Sequence, residues 1–474
     1  MKNLYNRFWR WHFFAALFIT PLLLTLTISG IGYLFYTDVE NKLYSDAFFG
    51  DSKETTSITI DEGIEQAKAK FSDYTVSKVI VLDEPYNTRL TMTNSEGEQK
   101  YVFLDDNNQV VDSQDANYTF SNIMRNLHSS LFIGGTFVNY LVELAACWAI
   151  FLLLSGLYMT FRKKIWKKVQ TETSRIRSRR WHSILGVIIT IPMIAIIFTG
   201  LPWSAFMGNF IYTAAQQNPS IGIPELNSNP PTSDINEIPW ATRKNEMPTS
   251  NSEDHSGHAG HGGSQSVPDY SNEYAMSVGK LMEHVESENI SKPYSIILPS
   301  SEEGVFTVAK GSNTGVTGLD VNPNEEVTNY FDQYTGSLIS SVGYNEYGIL
   351  GKWFTWGIPL HEGHLFGWPN KIINLFICLA FLYLIYLGFK TWLLRRQKGM
   401  ISAPPMPKEI SIPFCIFMIL LGVIMPLFGI SLIVVVLIEL IFGFTKKGIK
   451  PPFKEVNNDS IKYTHNNKNQ VLKQ

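Results

Sequence analysis

Four of the ten histidines recur at matched positions in or beside apolar stretches, and imidazole is a ligand for iron, copper, zinc and nickel. His12 and His182 each follow an Arg-Trp pair in the first turn of an apolar run. His128 and His361 each follow a leucine at the start of another. A histidine in or beside a membrane span is rare and points to a functional site. Two such pairs, one near each membrane face, would let facing helices offer one imidazole each to a planar group between them. No carboxylate or thiolate joins either pair, so a bare zinc ion would lack ligands. Bis-histidine b-type haem fits this donor set, because the porphyrin supplies the other four donors. Gly30, Gly32, Gly156, Gly200 and Gly388 would let a macrocycle approach the helix backbone, a role that ordinary close helix packing also gives to glycine.

Other residues could carry chemistry nearby. His361-Glu362-Gly363-His364 resembles a zinc-protease motif, but that motif has its histidines four apart on one helical face and here they are three apart. That excludes a peptidase and leaves His364 as a spare ligand, a proton donor or a contact at the haem edge. Glu143 lies mid-membrane, where it could carry protons, bind a quinol hydroxyl, hold a histidine tautomer or simply bond a neighbouring helix. His255, His258 and His261 form a flexible His-x-x-His tract, suited to weak capture of a divalent metal or to a solvated linker.

These residues need membrane helices to position them. Of the 474 residues 45% are hydrophobic and 17% charged, low for a soluble chain and too many for one core. The net charge of -3 argues against nucleic acid as a partner. Cys147, Cys378 and Cys415 all fall in apolar runs, which excludes a disulfide framework and a c-type haem attachment motif. Runs at 13–36, 131–161, 184–203 and 372–394 are long enough to span a bilayer, and the first reads as a retained anchor. The stretch 412–444 is too long for one simple span, and Pro426 and Gly429 favour a kink or hairpin. Lys2, Arg7 and Arg10, the nine basic residues of 162–180 and Arg395, Arg396 and Lys398 place those segments in the cytoplasm. Membrane lipid is therefore the first partner.

The chain also repeats itself. Arg10-Trp11-His12 matches Arg180-Trp181-His182, and Ser29-Gly30 matches Thr199-Gly200 without a gap. Leu127-His128 matches Leu360-His361, and Gly156 then Arg162 matches Gly388 then Arg395. The expected fold is a polytopic α-helical membrane protein made of a duplicated helix, outside domain, helix unit. Each outside domain reads as a small α+β unit. Helical spacing at Asp61–Phe71 precedes alternating segments at Lys78–Leu82, Thr88–Thr93, Lys100–Leu104 and Gln109–Asp112. In the second, a helix at Tyr274–Val285 precedes strands near Tyr294–Ile297, Gly304–Ala309, Val327–Phe331 and Leu338–Ser341. The expected segments are 1–36, 37–126 (outside), 127–161, 162–180, 181–203, 204–357 (outside), 358–394, 395–411, 412–444 and 445–474. A Pro/Asn/Ser/Gly-rich insertion covers about 209–271.

These motifs resemble the PepSY-associated transmembrane family of iron-regulated bacterial membrane proteins. The resemblance rests on Trp11-His12, on Glu143-Leu144-Ala145-Ala146-Cys147-Trp148, and on Ser155-Gly156-Leu157-Tyr158. It continues through Thr199-Gly200-Leu201-Pro202-Trp203, Ile358-Pro359-Leu360-His361-Glu362-Gly363 and Pro426-Leu427-Phe428-Gly429. It implies that the outside units are PepSY domains, and that the chain is an inner-membrane haem protein reducing ferric siderophores or related chelates in the periplasm.

The reading that follows has two b-type haems, one held by His12 and His182 near the cytoplasmic face and one by His128 and His361 near the outer face. Helices of this length cover roughly 30–36 Å, so the two would stack across the bilayer. Electrons would come from a quinol or a cytoplasmic reductase; no Rossmann glycine fingerprint offers the chain its own nicotinamide site. Two rivals stand beside it: a PepSY-based regulator that binds a peptide or protease without a cofactor, and a metal transporter using Glu143 and the histidines as a path.

Overall fold

The computed structural model describes residues 2–54, 56–224, 275–301, 304–311, 315–396, 404 and 410–445. The chain begins with α1 (Lys2–Leu34), α2 (Tyr36–Leu43), α3 (Ser45–Phe49) and α4 (Ile60–Lys70). Strands β1 (Tyr74–Val81), β2 (Thr88–Asn94), β3 (Gln99–Leu104) and β4 (Val110–Asp115) follow. Next come α5 (Phe120–Ser130), α6 (Thr136–Lys163), α7 (Ser174–Gly200), α8 (Met207–Gln217) and α9 (Val278–Ser287). The second strand set is β5 (Tyr294–Ile297), β6 (Val305–Lys310), β7 (Val327–Asp332) and β8 (Leu338–Gly343). Helices α10 (Ile349–Glu362), α11 (Trp368–Leu393), α12 (Ile412–Ile424) and α13 (Pro426–Thr445) close the described chain. Among the described residues, four helices (α1, α6, α7 and α11) are long and apolar enough to cross a membrane.

The chain divides into two compact units, one of residues 1–25, 140–197 and 376–474, the other of 26–139 and 198–375. The first unit is helical. Phe8 packs on Tyr158 at 4.7 Å and on Phe414 at 5.0 Å, and Trp11 stacks on Trp148 at 6.2 Å. The Trp148 indole N–H donates to Ser431 at 3.2 Å, so its polar edge is satisfied inside the apolar core. The stretch 412–444 is broken at Met425 into α12 and α13. A Cβ on Gly422 would lie 3.1 Å from the Gly429 Cα, whereas residues seven apart in one helix are separated by about 10 Å, so the chain folds back here.

The second unit is built on one antiparallel sheet of eight strands, in the order β4-β3-β2-β1-β5-β6-β7-β8. The sequence places two separate α+β units; instead β1 and β5 pair, Val79 opposite Ile296 and Ile80 opposite Ser295, and join them into one sheet. Ile60, Ile64 and Ala67 of α4 and Val278, Leu281 and Val285 of α9 share a core with Leu90, Val102, Ile296, Val308 and Phe331. Each large side chain buried there contributes about 1.5–3 kcal/mol. A capping box of Thr59 and Glu62 starts α4, and Ser277 caps α9. Asp61 also accepts the Gly279 N–H at 3.2 Å, tying one helix start to the other.

Three expectations are revised in this unit. The insertion was placed from 209, yet α8 runs to Gln217 and packs Tyr212 and Ala215 against Phe354 and Ile358. His128 ends α5, a short helix separate from α6, because Leu131 and Phe132 take left-handed conformations (φ 53° and 60°) before Gly134 and Gly135. His361 likewise lies at the end of α10, which stops at Gly363 (φ 85°) ahead of α11. At the first break Leu131-Phe132-Ile133 keep the chain apolar, so hydropathy cannot register it; at the second, Glu362-Gly363-His364 interrupts the apolar chain.

Candidate functional site: two imidazole pairs

His12 stands about three turns into α1, not in the first turn, since nothing between Lys2 and Trp11 interrupts the helix. His182 lies likewise inside α7, which starts at Ser174. Their ring centroids are 6.4 Å apart and their planes cross at 88°. Ser155 donates its hydroxyl proton to the Leu152 carbonyl at 3.2 Å, so its oxygen accepts from His12 Nδ1–H at 2.8 Å. His182 Nδ1 lies 2.9 Å from the Leu384 carbonyl, which can only accept. Each ring therefore carries its proton on Nδ1, and Nε2 has the lone pair a metal needs.

In the other unit His128 and His361 lie 6.2 Å apart at 70°. Ser29 donates to the Leu26 carbonyl at 3.1 Å and accepts from His128 Nδ1–H at 3.1 Å. Thr199 Oγ1 is 3.4 Å from His361 Nδ1. Asn374 donates to the Leu360 and His361 carbonyls at 2.8 and 3.2 Å, satisfying the end of α10 and fixing the backbone under His361.

The glycines singled out in the sequence lie at close packing distance from side chains of neighbouring helices. A Cβ would lie 3.4 Å from His12 Cε1 at Gly156, 3.4 Å from His128 Cε1 at Gly30, 3.1 Å from His182 Cε1 at Gly388 and 2.8 Å from His361 Cε1 at Gly200. They seat the imidazoles, and Gly32 seats Met124. Three of the four ring-seating glycines follow the hydroxyl residue that orients the same ring (Ser29-Gly30, Ser155-Gly156, Thr199-Gly200); before Gly388 stands Leu387, and that ring uses a carbonyl. The Ser/Thr-Gly dipeptides were visible in the sequence, but the hydroxyl's role shows only once the histidine opposite is known.

Both spacings fit a shared metal atom. An imidazole–metal bond of about 2.0 Å with the ring centre about 1.1 Å behind each nitrogen puts two collinear rings roughly 6–6.5 Å apart. Among the described residues, no three or more His, Cys, Asp or Glu converge as a metal site. His12 and His182 line a cavity of about 790 Å³ between α1, α6, α7 and α11, walled by aliphatic and aromatic side chains with Gly156, Gly186 and Gly388. That volume is in the range of a cofactor site.

His364 has a different position from its neighbour. Its Nδ1 lies 3.1 Å from Asp320 and its Nε2 3.3 Å from Glu362, so neither nitrogen is open to a metal. Burial opposes its charge, but the hydrogen bonds from Asp320 and Glu362 prevail and raise its pKa to about 9. It is an imidazolium at neutral pH, a charge carrier rather than a reserve ligand. Glu143 is buried in α6 and is not among the residues lining the cavity. His255, His258 and His261 lie outside the described residues.

Four helices long and apolar enough to cross a bilayer, together with an eight-stranded sheet, mark a membrane protein. Residues 9–395 match the family model of the PepSY-associated TM region, and the chain belongs to that family. A search of curated proteins finds no match.

Proposed function

We propose that this protein is a di-haem b-type electron carrier of the bacterial inner membrane that reduces ferric chelates, ferric siderophores foremost, outside the cytoplasm. The observation that carries the reading is the recurrence of one construction: two imidazoles at 6.4 and 6.2 Å, each ring seated on a glycine. When bound, haem b would supply one-electron transfer. His12 with His182, and His128 with His361, are the ligand pairs. Ser155, the Leu384 carbonyl, Ser29 and Thr199 orient the rings at Nδ1.

The repeated motifs support a duplicated helix–PepSY–helix unit, and the basic residues at 162–180 and 395–398 support a cytoplasmic N-terminus with the sheet on the periplasmic side. An electron enters from a quinol or a cytoplasmic reductase and leaves to Fe(III) in the chelate, which releases Fe(II). The iron-regulated character of the family that the motifs resemble agrees with this substrate.

A dithionite-reduced minus oxidised visible spectrum of the detergent-purified protein, with haem quantified per chain, tests the reading. Sharp low-spin b-type bands at about two haems per chain are expected. A colourless protein from haem-replete cells would sink it and leave a cofactor-free binding module.

A further inference from the structure

The cavity that holds His12 and His182 has a strongly basic end. Lys163, Lys164, Lys167, Arg175, Arg179 and Arg395 line it, and no Asp or Glu does. Topology alone would bring cations to this loop but would not seat them. Lys163 Nζ lies 5.2 Å over the Tyr5 ring, and the Arg395 guanidinium lies 5.0 Å over Trp9 and 5.3 Å over Phe13. All three rings belong to the cavity wall, so two of the cations are laid on it in a fixed place. The one acid of the 162–180 loop is committed elsewhere: Glu172 takes Arg180 at 2.7 and 3.2 Å and Arg177 at 3.9 Å, and neither arginine lines the cavity. Burial, with the Arg175 charge added, pulls the Arg395 guanidinium below its ordinary value, a cost that a nearby anion removes. The ligand class this describes has an apolar body and at least two anionic groups along one edge.

We propose that the basic end is a carboxylate-binding site, in which Lys163 and Arg395 take the two propionates of the macrocycle held by His12 and His182 and so fix which edge faces the loop. This rests on the haem reading given above. It assigns ligand binding to loop residues that membrane topology would otherwise explain in full.

The test uses the full-length protein in detergent, freed of haem and then loaded with haem b or with its dimethyl ester, whose carboxylates cannot ionise. Wild type should retain haem b at the His12 site about ten- to a hundredfold better than the ester, the effect of two charge-assisted contacts. In Lys163→Gln/Arg395→Gln that preference should collapse, and one of the two midpoint potentials should fall and become pH-dependent between pH 6 and 8 as the propionates begin to titrate there. Arg177→Gln, a loop charge outside the lining, should change neither. Equal loading of ester and haem b by wild type, which needs no variant to fold, would overturn the proposal while leaving the haem reading intact. So would a preference that vanishes on adding anionic phosphatidylglycerol, since the cations would then belong to lipid headgroups. Failure of wild type to bind either form would remove the haem reading itself, and this proposal with it.

Discussion

The His12–His182 and His128–His361 pairs share ring spacing and glycine seats but differ in charge. Around the first, six basic residues line the cavity. Beside the second, His361 is followed by Glu362, and the next histidine is an imidazolium clasped by Asp320 and Glu362. Ring geometry is set by what touches the ring: a glycine on its Cε1 edge and one acceptor at Nδ1. Electrostatic setting comes from residues further along the chain and varies without disturbing that geometry. On the proposed haem reading, two centres of the same ligand set would thus have different potentials.

Breaking either pair should have the largest effect. His12→Ala or His182→Ala should lower bound haem from about two to about one per chain, as should His128→Ala or His361→Ala, with the surviving potential differing between the two sets. Haem assay with a redox titration reads both. The glycine seats come next. Gly200→Ala and Gly388→Ala force a ring to shift, costing about 1–3 kcal/mol and loosening haem, whereas Gly30→Ala and Gly156→Ala meet the ring at ordinary contact distance. Low-temperature EPR of the oxidised protein should show altered ligand-plane signals in the first two only. Ser155→Ala should weaken haem retention at its site by roughly tenfold, and Thr199→Ala by less, because its contact is 3.4 Å against 2.8 Å. The smallest effect is on pH. His364 has its pKa raised to about 9, so its stabilisation is full below its unfolded value near 6.5 and is lost as pH rises through 9. Melting followed from pH 6 to 10 should show that loss in wild type and not in His364→Gln.

Much of this arrangement was open to reading in the sequence. The matched Arg-Trp-His triplets and the paired leucine-histidine steps identified the residues that the structure brings together in twos. Alternation over Thr88–Thr93 and Val327–Phe331 is that of β2 and β7. The fusion of the sheet was hidden for a physical reason. Val79 and Ile80 are both buried, as are Ile296 and Ile297, so these strands are covered on both faces and lack alternation; such a run says "central strand" without naming its neighbour. The left-handed break after His128 was hidden because Leu131-Phe132-Ile133 keep the chain apolar while the helix stops, whereas the stop after His361 falls on Gly363, a residue that favours this conformation. The clamp on His364 needed Asp320, distant in sequence and unremarkable there.

The joining of β1 to β5 has a consequence for how this protein can be divided. Two separate four-stranded sheets would have four open edges; this one has two, at β4 and β8. Any fragment carrying only one half would bare β1 or β5, a strand apolar on both sides with a full row of unsatisfied backbone donors and acceptors, and would find another copy of itself. Neither half is a portable module. A soluble piece for binding work must carry both, with the termini of the excised chain rejoined across the missing helices.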